Sequence, residues 1–355
     1  MADPLEERPT PYLVVDADLL EANIADMAAV AADRGVALRP HAKTHKTPEI
    51  ARLQLAAGAV GLTVATVAEA ETFAAHGFPD LFVAYPLWVD PAKGRRLRAL
   101  SERALLTLAV DSVEGARALA AQVPGSRVVV EVDSGQHRSG VAPAETGALA
   151  EVAAASGLEV VGVFTFPGHS YAPGVQDEVA AQEAAALAEA AASLTAHGIA
   201  PTVVSGGSTP SVAQAHGDVL TEVRPGVYPF GDAQQWELGT TTPDRIALTC
   251  IATVVSHAGG RVVLDAGSKA IAPDRSAWAT GHGRLLDHPD ARLVQLSEHH
   301  AVTVWDSGPL PALGSRLRVV PNHVCNAVNL TDELVVVRGG EVVDTWRVAA
   351  RGANT

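Results

Sequence analysis

The chain has 355 residues, of which 48% are hydrophobic, and its formal net charge is −14. A chain of this length and composition can bury a substantial core, and we expect one large domain plus a smaller one. The acidic charge disfavours a surface for nucleic acid or for an anionic membrane.

The cysteine content and the first residues bear on the compartment. The two cysteines, Cys250 and Cys325, are too few for a disulfide framework. The opening segment MADPLEERPT lacks the basic and apolar regions of a signal peptide, and no apolar run reaches membrane-spanning length. These features predict a cytoplasmic protein with reduced thiols.

Short β-branched segments alternate with alanine-rich helical segments as far as about residue 230. The first helical segment covers 16–35 and the longest covers 176–198. The predicted strands cover 36–43, 60–66, 81–87, 105–111, 126–133, 160–166, 201–207 and 220–228. Apolar strands that alternate with helices are typical of a parallel sheet buried on both faces. Eight of them predict closure into a (β/α)8 TIM-type barrel.

The character of the sequence changes after about residue 240. Segments 245–268 and 333–348 each place two β-rich runs around a Gly-Gly turn, which is typical of hairpins. We therefore predict a barrel over 10–238 and a C-terminal all-β domain over 239–355, which residues 1–9 would join.

The stretch LRPHAKTHKTP (38–48) holds two of the four lysines of the chain, Lys43 and Lys46. Alternation along a strand would place Arg39, His41 and Lys43 on one face, toward the barrel interior. A partly desolvated lysine at the rim of a barrel has an amine suited to Schiff-base chemistry. The alternative is a solvated pair of lysines in a loop, and this stretch alone does not separate the two interpretations.

The segment SGGSTPS (205–211) follows the seventh predicted strand. Glycines let the backbone approach an anion, and Ser208 and Thr209 add hydroxyl donors. An isolated glycine-rich loop is more often an ordinary turn. The usual phosphate site of barrels, however, lies after strands seven and eight, so this position favours a phosphate site.

His323 and Cys325 lie two positions apart in PNHVCNAVNL (321–330). On a strand they would share a face and could bind one ion, and imidazole with thiolate suits zinc. The alternative is a buried cysteine beside a hydrogen-bonded histidine, which the spacing alone favours.

Further polar candidates lie at or just beyond the carboxyl ends of predicted strands: Arg138, Tyr171, Tyr228 and Asp232. Glu131 and Asp133 share a face of the fifth strand, and we expect them to balance Arg39 inside the barrel. The sequence assigns no role to five polar residues of the β domain: Asp265, Lys269, Glu298, His299 and His300.

Seven motifs occur together in this order: RPHAKTHK, EVDSGQHRSG, GHSY, SGGSTPS, RPGVYPF, LDAGSKA and PNHVCNAVNL. They resemble the D-serine dehydratase / D-threonine aldolase family. That family consists of fold-type III enzymes dependent on pyridoxal 5'-phosphate (PLP), similar to alanine racemase in having a barrel followed by a β domain. The resemblance covers nearly the whole chain.

The resemblance implies a role for each matching residue. Lys43 would hold the cofactor, Arg138 would face its phenolic oxygen, and Tyr171 would lie close to its ring. The phosphate would be bound by Gly206, Gly207, Ser208 and Thr209, with help from Tyr228. His323 and Cys325 match the metal ligands of the family and imply Zn²⁺, with Mn²⁺ or another divalent ion as the alternative.

The resemblance also implies the reaction. A His-x-Cys pair is typical of the dehydratase branch, whereas aldolases usually show His-x-Asp. We therefore expect a D-serine-dehydratase-like lyase that eliminates water from a D-3-hydroxy amino acid to give a 2-oxo acid and ammonia. The alternatives are D-threonine aldolase-type cleavage to glycine and an aldehyde, and D-threo-3-hydroxyaspartate dehydratase activity.

Two other classes are less favoured. A racemase would need a second acid/base, commonly a tyrosine of the β domain, and all four tyrosines precede residue 240. A non-enzymatic PLP carrier would resemble the barrel alone. The resemblance implies a homodimer with a small D-amino acid as substrate, and we expect no nucleic-acid or membrane partner.

Overall fold

The computed structural model describes residues 8–305 and 308–355. The chain divides into two compact units, each with its own β-sheet. The barrel unit comprises Asp26–Lys43, Ala51–Gly226 and Ala353–Thr355. The β unit comprises, of the described residues, 8–25, Thr44–Ile50 and Val227–Gly352.

The barrel unit contains a parallel sheet of eight strands. After β1 (Tyr12–Asp16), which belongs to the β unit, its strands are β2 (Ala37–Leu38), β3 (Leu62–Val64), β4 (Asp80–Pro86), β5 (Leu105–Val110), β6 (Arg127–Glu131), β7 (Glu159–Phe164), β8 (Val203–Gly206) and β9 (Glu222–Val223). Each strand from β3 to β8 pairs with the next along the chain, and β9 pairs with β2. A bridge between His41 and Thr63 joins the end of β2 to β3. The predicted (β/α)8 barrel is thereby confirmed.

Helices alternate with the strands as the sequence predicts. They are α1 (Ala17–Asp33), α2 (Pro48–Ala56), α3 (Val67–Ala75), α4 (Pro91–Ser101), α5 (Val113–Gln122), α6 (Thr146–Ala155) and α7 (Gln176–Ala196). Side-chain caps fix several starts: Thr66 accepts from the Glu69 N–H, and Asp90 accepts from the Lys93 N–H. Short 3₁₀ turns cover Pro143–Glu145, Gly168–Tyr171 and Val212–Gln214.

The first predicted strand is much shorter than expected. Only Ala37–Leu38 is regular strand, and the residues after His41 form a turn. Pro40 has no N–H to donate to a ladder, although its carbonyl still accepts from the Thr63 N–H at 2.8 Å. Lys46 closes the turn with a positive φ of 52°.

The carboxylates that form ion pairs with Arg39 are not those expected from the sequence. Its guanidinium donates to Asp80 Oδ1 at 2.6 Å and to Glu222 Oε2 at 2.8 Å. Burial lowers the pKa of Arg39, but these two carboxylates outweigh burial and raise the pKa above its ordinary value. The expected pairing with Glu131 and Asp133 is therefore wrong, because β4 and β9 place their own carboxylates nearer.

Besides β1, the strands of the β unit are β10 (Leu248–Ser256), β11 (Val262–Leu264), β12 (Gly283–Leu285), β13 (His288–Leu296), β14 (Ala301–Thr303), β15 (Arg316–Pro321), β16 (Glu333–Arg338) and β17 (Glu341–Arg347). They form one nine-stranded sheet in the order β11-β14-β13-β12-β15-β10-β1-β16-β17. Its helices are α8 (Ala233–Leu238), α9 (Ser268–Ile271) and α10 (Val324–Leu330), with 3₁₀ turns at Pro243–Arg245 and Ala258–Gly260. The predicted hairpins are confirmed, with β10–β11 joined through Gly259–Gly260 and β16–β17 through Gly339–Gly340.

The structural units do not coincide with the ranges 10–238 and 239–355 expected from composition. β1 lies between β10 and β16 in the nine-stranded sheet, because its apolar residues pair with both. Residues 1–7, which we expected to join the β domain, lie outside the described residues. Among the helices of the described chain, none combines the length and apolar character needed to cross a membrane.

The contacts of Arg39 predict a large effect of its removal. In Arg39→Met, Glu222 and Asp80 would lose their cation, and Glu222 keeps only 8% of its side chain exposed. Breaking such a buried pair costs about 3 kcal/mol or more. Arg96→Met is the matched control, since Arg96 pairs with Glu71 at the surface and such pairs contribute below about 1 kcal/mol. Equal shifts of the urea unfolding midpoint for the two variants would contradict this assignment.

Candidate active site

Lys43 lines a pocket at the carboxyl ends of the barrel strands. The pocket has a volume of about 610 Å³ and also contains Arg138, Asp111 and Tyr85. Lys43 is half-buried, and Lys46 is only 5% exposed. The alternative of two solvated loop lysines is therefore wrong.

One aromatic ring connects three of the sequence-predicted residues. Lys43 Nζ lies 5.5 Å from the centroid of the Phe166 ring, and Arg138 Cζ lies 5.3 Å from it. The Tyr171 ring packs against the same ring at 6.3 Å between centroids. Phe166 thus gathers two cations and a phenol at the end of β7.

Sequence reasoning missed Phe166. Its signal was the FTF segment directly before GHSY, where Phe164 lies in β7 and Phe166 lies just beyond the strand end. An aromatic residue in that position is hard to distinguish from a core residue, because alternation puts Phe164 and Phe166 on the same face.

The segment Gly206–Thr209 forms a compact loop after β8. Gly207 has φ +74°, a backbone conformation that favours glycine. The Ser208 hydroxyl lies 2.8 Å from the hydroxyls of Ser170 and Ser211, and Thr209 Oγ1 accepts from the Gly226 N–H at 3.2 Å. Ser170 precedes Tyr171, the residue predicted to lie close to the cofactor ring. The bond between Ser170 and Ser208 therefore connects the loop to the segment that carries Tyr171.

A buried carboxylate lies behind Arg138. Glu131 is 2% exposed and accepts from the Ser139 hydroxyl at 2.9 Å. Burial raises its pKa, against the opposing effects of Ser139 and Arg138. Its Oε2 is buried with no hydrogen-bond partner among the described residues.

The predicted metal ligands lie in the β unit, at the start of a helix instead of on a strand. β15 ends at Pro321, and α10 begins directly after His323. The expectation of a shared strand face is therefore wrong. His323 Nδ1 lies 3.7 Å from Asp232 Oδ2, and Cys325 Sγ lies 3.2 Å from the Thr44 hydroxyl.

Asp232 fixes the local backbone around His323. It is 1% exposed, caps α8 by accepting from the Gln235 N–H at 2.8 Å, and accepts from the Val324 N–H at 3.2 Å. One carboxylate therefore bonds the amino-terminal ends of both α8 and α10. In the described part of the chain, no group of three or more His, Cys, Asp or Glu side chains is placed to hold a metal.

Two further residues of the motifs lie in the β unit. Tyr228 is buried, with 7% exposure, two positions after Gly226. Lys46 donates from Nζ to Asn329 Oδ1 at 2.7 Å, and its carbonyl accepts from the Ala350 N–H. The motif lysines Lys43 and Lys46 thus have different environments.

The chain matches two family models. Residues 15–234 match the model described as alanine racemase, N-terminal domain, and residues 247–337 match one described as a serine dehydratase domain. The chain belongs to the D-serine dehydratase / D-threonine aldolase family of fold-type III PLP enzymes. The family predicted from the seven motifs is thereby confirmed.

Relatives and solved structures match over almost the whole chain. D-threo-3-hydroxyaspartate dehydratase of Delftia sp. (strain HT23) is 37% identical, over 92% of this chain and 93% of its own. D-threonine aldolase of Arthrobacter sp. is also 37% identical, over 99% and 94%. The solved structure of the Delftia dehydratase has a TM-score of 0.90 at 35% identity, covering 97% of this chain and 98% of that one. These relatives are lyases, and this family member is a PLP-dependent lyase.

A further solved structure concerns the metal. It is a cysteine-to-alanine mutant of D-threo-3-hydroxyaspartate dehydratase in the metal-free form, with a TM-score of 0.90 at 34% identity, covering 97% of this chain and 98% of that one.

The position of Phe166 predicts an effect on the cofactor. In Phe166→Leu, Lys43 and Arg138 lose a shared aromatic face, and each cation–π contact contributes about 0.5–1 kcal/mol. We expect PLP to bind about fivefold to tenfold more weakly in an absorbance titration. Phe78→Leu is the matched control, because the Phe78 ring faces a different cation of the barrel unit, Arg52. An unchanged PLP affinity in Phe166→Leu would contradict the role of this ring.

Proposed function

We propose that the protein is a PLP- and zinc-dependent dehydratase that converts a D-3-hydroxy amino acid to a 2-oxo acid and ammonia. The observation that carries the choice of dehydration is Cys325, a cysteine two residues after His323. The metal-free cysteine mutant of the related dehydratase supports a cysteine as the metal ligand.

The residues of the barrel unit fit PLP. Lys43 is half-buried beside Arg138 in a pocket large enough for a small cofactor. Gly207 has the positive φ that favours glycine, and the hydroxyls of Ser208 and Thr209 follow it, so the loop after β8 suits a phosphate group. We propose that Gly206–Thr209 bind the phosphate, that Tyr228 assists, and that Tyr171 lies close to the cofactor ring.

The donor set of the β unit fits zinc. Imidazole and thiolate are zinc donors, and a catalytic zinc site leaves positions open for water or substrate. Cys250, the other cysteine, is fully buried in β10, and burial raises the pKa of its thiol to about 12, which disfavours the thiolate. We propose His323 and Cys325 as the zinc ligands.

Each of these residues has its own role in the proposed reaction. When bound, PLP supplies an electron sink for a carbanion and zinc supplies a Lewis acid for a departing hydroxide. The Lys43 amine would remove the α-proton of the substrate. Arg138 would hold the phenolic oxygen, and the carboxylate of Asp232 would keep His323 oriented.

Carbon–carbon cleavage is the second candidate. The aldolase and the dehydratase relatives are equally identical to this chain, at 37%, so overall similarity does not choose between them. A racemase would need a tyrosine of the β domain. Tyr12 and Tyr228 both belong to the β unit, although they precede residue 240. Racemisation therefore also requires a test. The homodimer and the cytoplasmic location expected from the sequence stay predictions.

Product analysis with D-threonine tests the reaction. We expect the purified protein, loaded with PLP and zinc, to release ammonia and 2-oxobutyrate in equal amounts. Glycine with acetaldehyde would establish aldolase activity instead. Recovery of L-allo-threonine, in which only the α-carbon is inverted, would establish racemisation. D-Serine and D-threo-3-hydroxyaspartate, tested in parallel, would identify the preferred side chain at the β-carbon.

Lys43→Ala tests the cofactor-binding lysine. We expect loss of the absorption band of lysine-bound PLP and loss of turnover, because no other lysine lines the pocket within the described residues. Lys269→Ala is the control, since Lys269 lies 60% exposed in an ion pair with Glu298 and should leave both readouts unchanged. A surviving absorption band in Lys43→Ala would contradict the assignment.

Cys325→Ala tests the metal ligand. We expect about one zinc per chain to be lost, PLP to remain bound, and activity to fall at least about tenfold, with partial recovery in excess Zn²⁺. Cys250→Ala is the matched control and should keep its zinc, because its thiol is buried in β10. Full activity of the unmodified protein after exhaustive chelation would remove the metal from the mechanism.

A further inference from the structure

A buried carboxylate contacts the proposed phosphate loop from α7. Glu183 is 2% exposed, and its Oε1 accepts from the Gly207 N–H at 2.6 Å. A side chain at Gly206 would overlap the same oxygen. Glu183 therefore touches the backbone of both glycines of the loop.

Neutral groups hold the other side of this loop. Ser208 bonds the hydroxyls of Ser170 and Ser211, and its N–H donates to Ser211 Oγ at 3.2 Å. Glu183 differs from these partners because it can carry a charge. A full negative charge at this position would oppose the binding of a phosphate dianion.

The environment of Glu183 favours its neutral form. Burial raises the pKa of this carboxyl to about 7, against the opposing effects of the Gly207 N–H and the Arg224 guanidinium. Arg224 is itself surrounded by charged groups: Glu222, Glu131 and Arg39. The elements packed against α7 carry five other titratable residues, which lie nearer the surface: Glu145, Glu151, Glu159, His169 and Tyr171.

We propose that Glu183 is a positioning residue for the phosphate loop and that the protein takes up one proton at this carboxyl when it binds the phosphate group of its cofactor. The inference rests on the proposed role of Gly206–Thr209. A neutral carboxyl keeps a carbonyl oxygen that accepts from the Gly207 N–H, so the loop retains its geometry while the repulsion disappears.

The direction of the pH effect follows from linkage. A phosphate dianion raises the pKa of Glu183 further, so the bound state holds more protons than the free state. Affinity is then independent of this group well below pH 7. It weakens by up to about tenfold per pH unit above pH 7, because a proton must be taken from increasingly alkaline solvent.

Glu183→Gln separates charge from geometry, since the amide oxygen can still accept from Gly207. We would measure the Kd of PLP for the full-length apoprotein at pH 6, 7 and 8. The ratio of the wild-type Kd to the variant Kd should rise about tenfold from pH 6 to pH 8. Titrations of Lys43 and of the free phosphate cancel in this ratio.

Two controls isolate the phosphate and the position. Pyridoxal, which lacks the phosphate, should give a ratio that does not change with pH. Glu178→Gln removes a carboxylate on the exposed side of the same helix, where it bonds Gln182, and should give a constant ratio with PLP.

The outcomes are distinct. A constant ratio for PLP in Glu183→Gln overturns the inference, as does the same pH dependence with pyridoxal. Failure of the wild type to bind PLP would overturn the proposed function itself. If Glu183→Gln does not fold, calorimetry of the wild type at pH 8 in two buffers gives proton uptake directly. PLP should take up close to one proton more than pyridoxal, and equal uptake overturns the inference.

Discussion

Two guanidinium groups constrain the barrel: that of Arg224, which is buried, and that of Arg39, whose side chain is 12% exposed. Arg39 lies between the carboxylates of Asp80 and Glu222, and Arg224 donates to Ser205 and to the Thr165 carbonyl. Burial lowers the pKa of Arg224 to about 10. Because a buried charge without a partner costs several kcal/mol, the strands must keep the registers that bring these partners together.

The network around these guanidinium groups extends to the carboxyl ends of the barrel strands, where we propose that the reaction takes place. Arg224 lies over the rings of Phe82 and Phe164, and two residues beyond Phe164 the ring of Phe166 meets Lys43 and Arg138. The same guanidinium acts on Glu183, which bonds the loop after β8. The charged groups inside the barrel are thus connected, through Arg224 and Glu183, to the loop after β8.

The two units carry different functional groups for a PLP enzyme. The barrel unit provides an amine, an aromatic ring and a glycine loop at strand ends, where side chains from several strands converge. In the β unit, the proposed zinc ligands His323 and Cys325 lie at the start of a short helix, whose first N–H donates to a carboxylate that caps a second helix. We propose that the donor chemistry of the second set selects between dehydration and aldol cleavage.

The sequence by itself determined the alternation of elements, the glycine loop, the hairpins and the motif residues. These follow from local chemistry, because apolar periodicity, turn residues and motif spacing depend only on residues that are close in the sequence. The tertiary structure alone decided the partners of Arg39, the helical setting of Cys325, the contacts of Phe166 and the burial of Glu183. Each depends on which strand or helix lies opposite in space. A strand end at Pro321 or a carboxylate on β9 sets that geometry through pairing with residues far away in the chain.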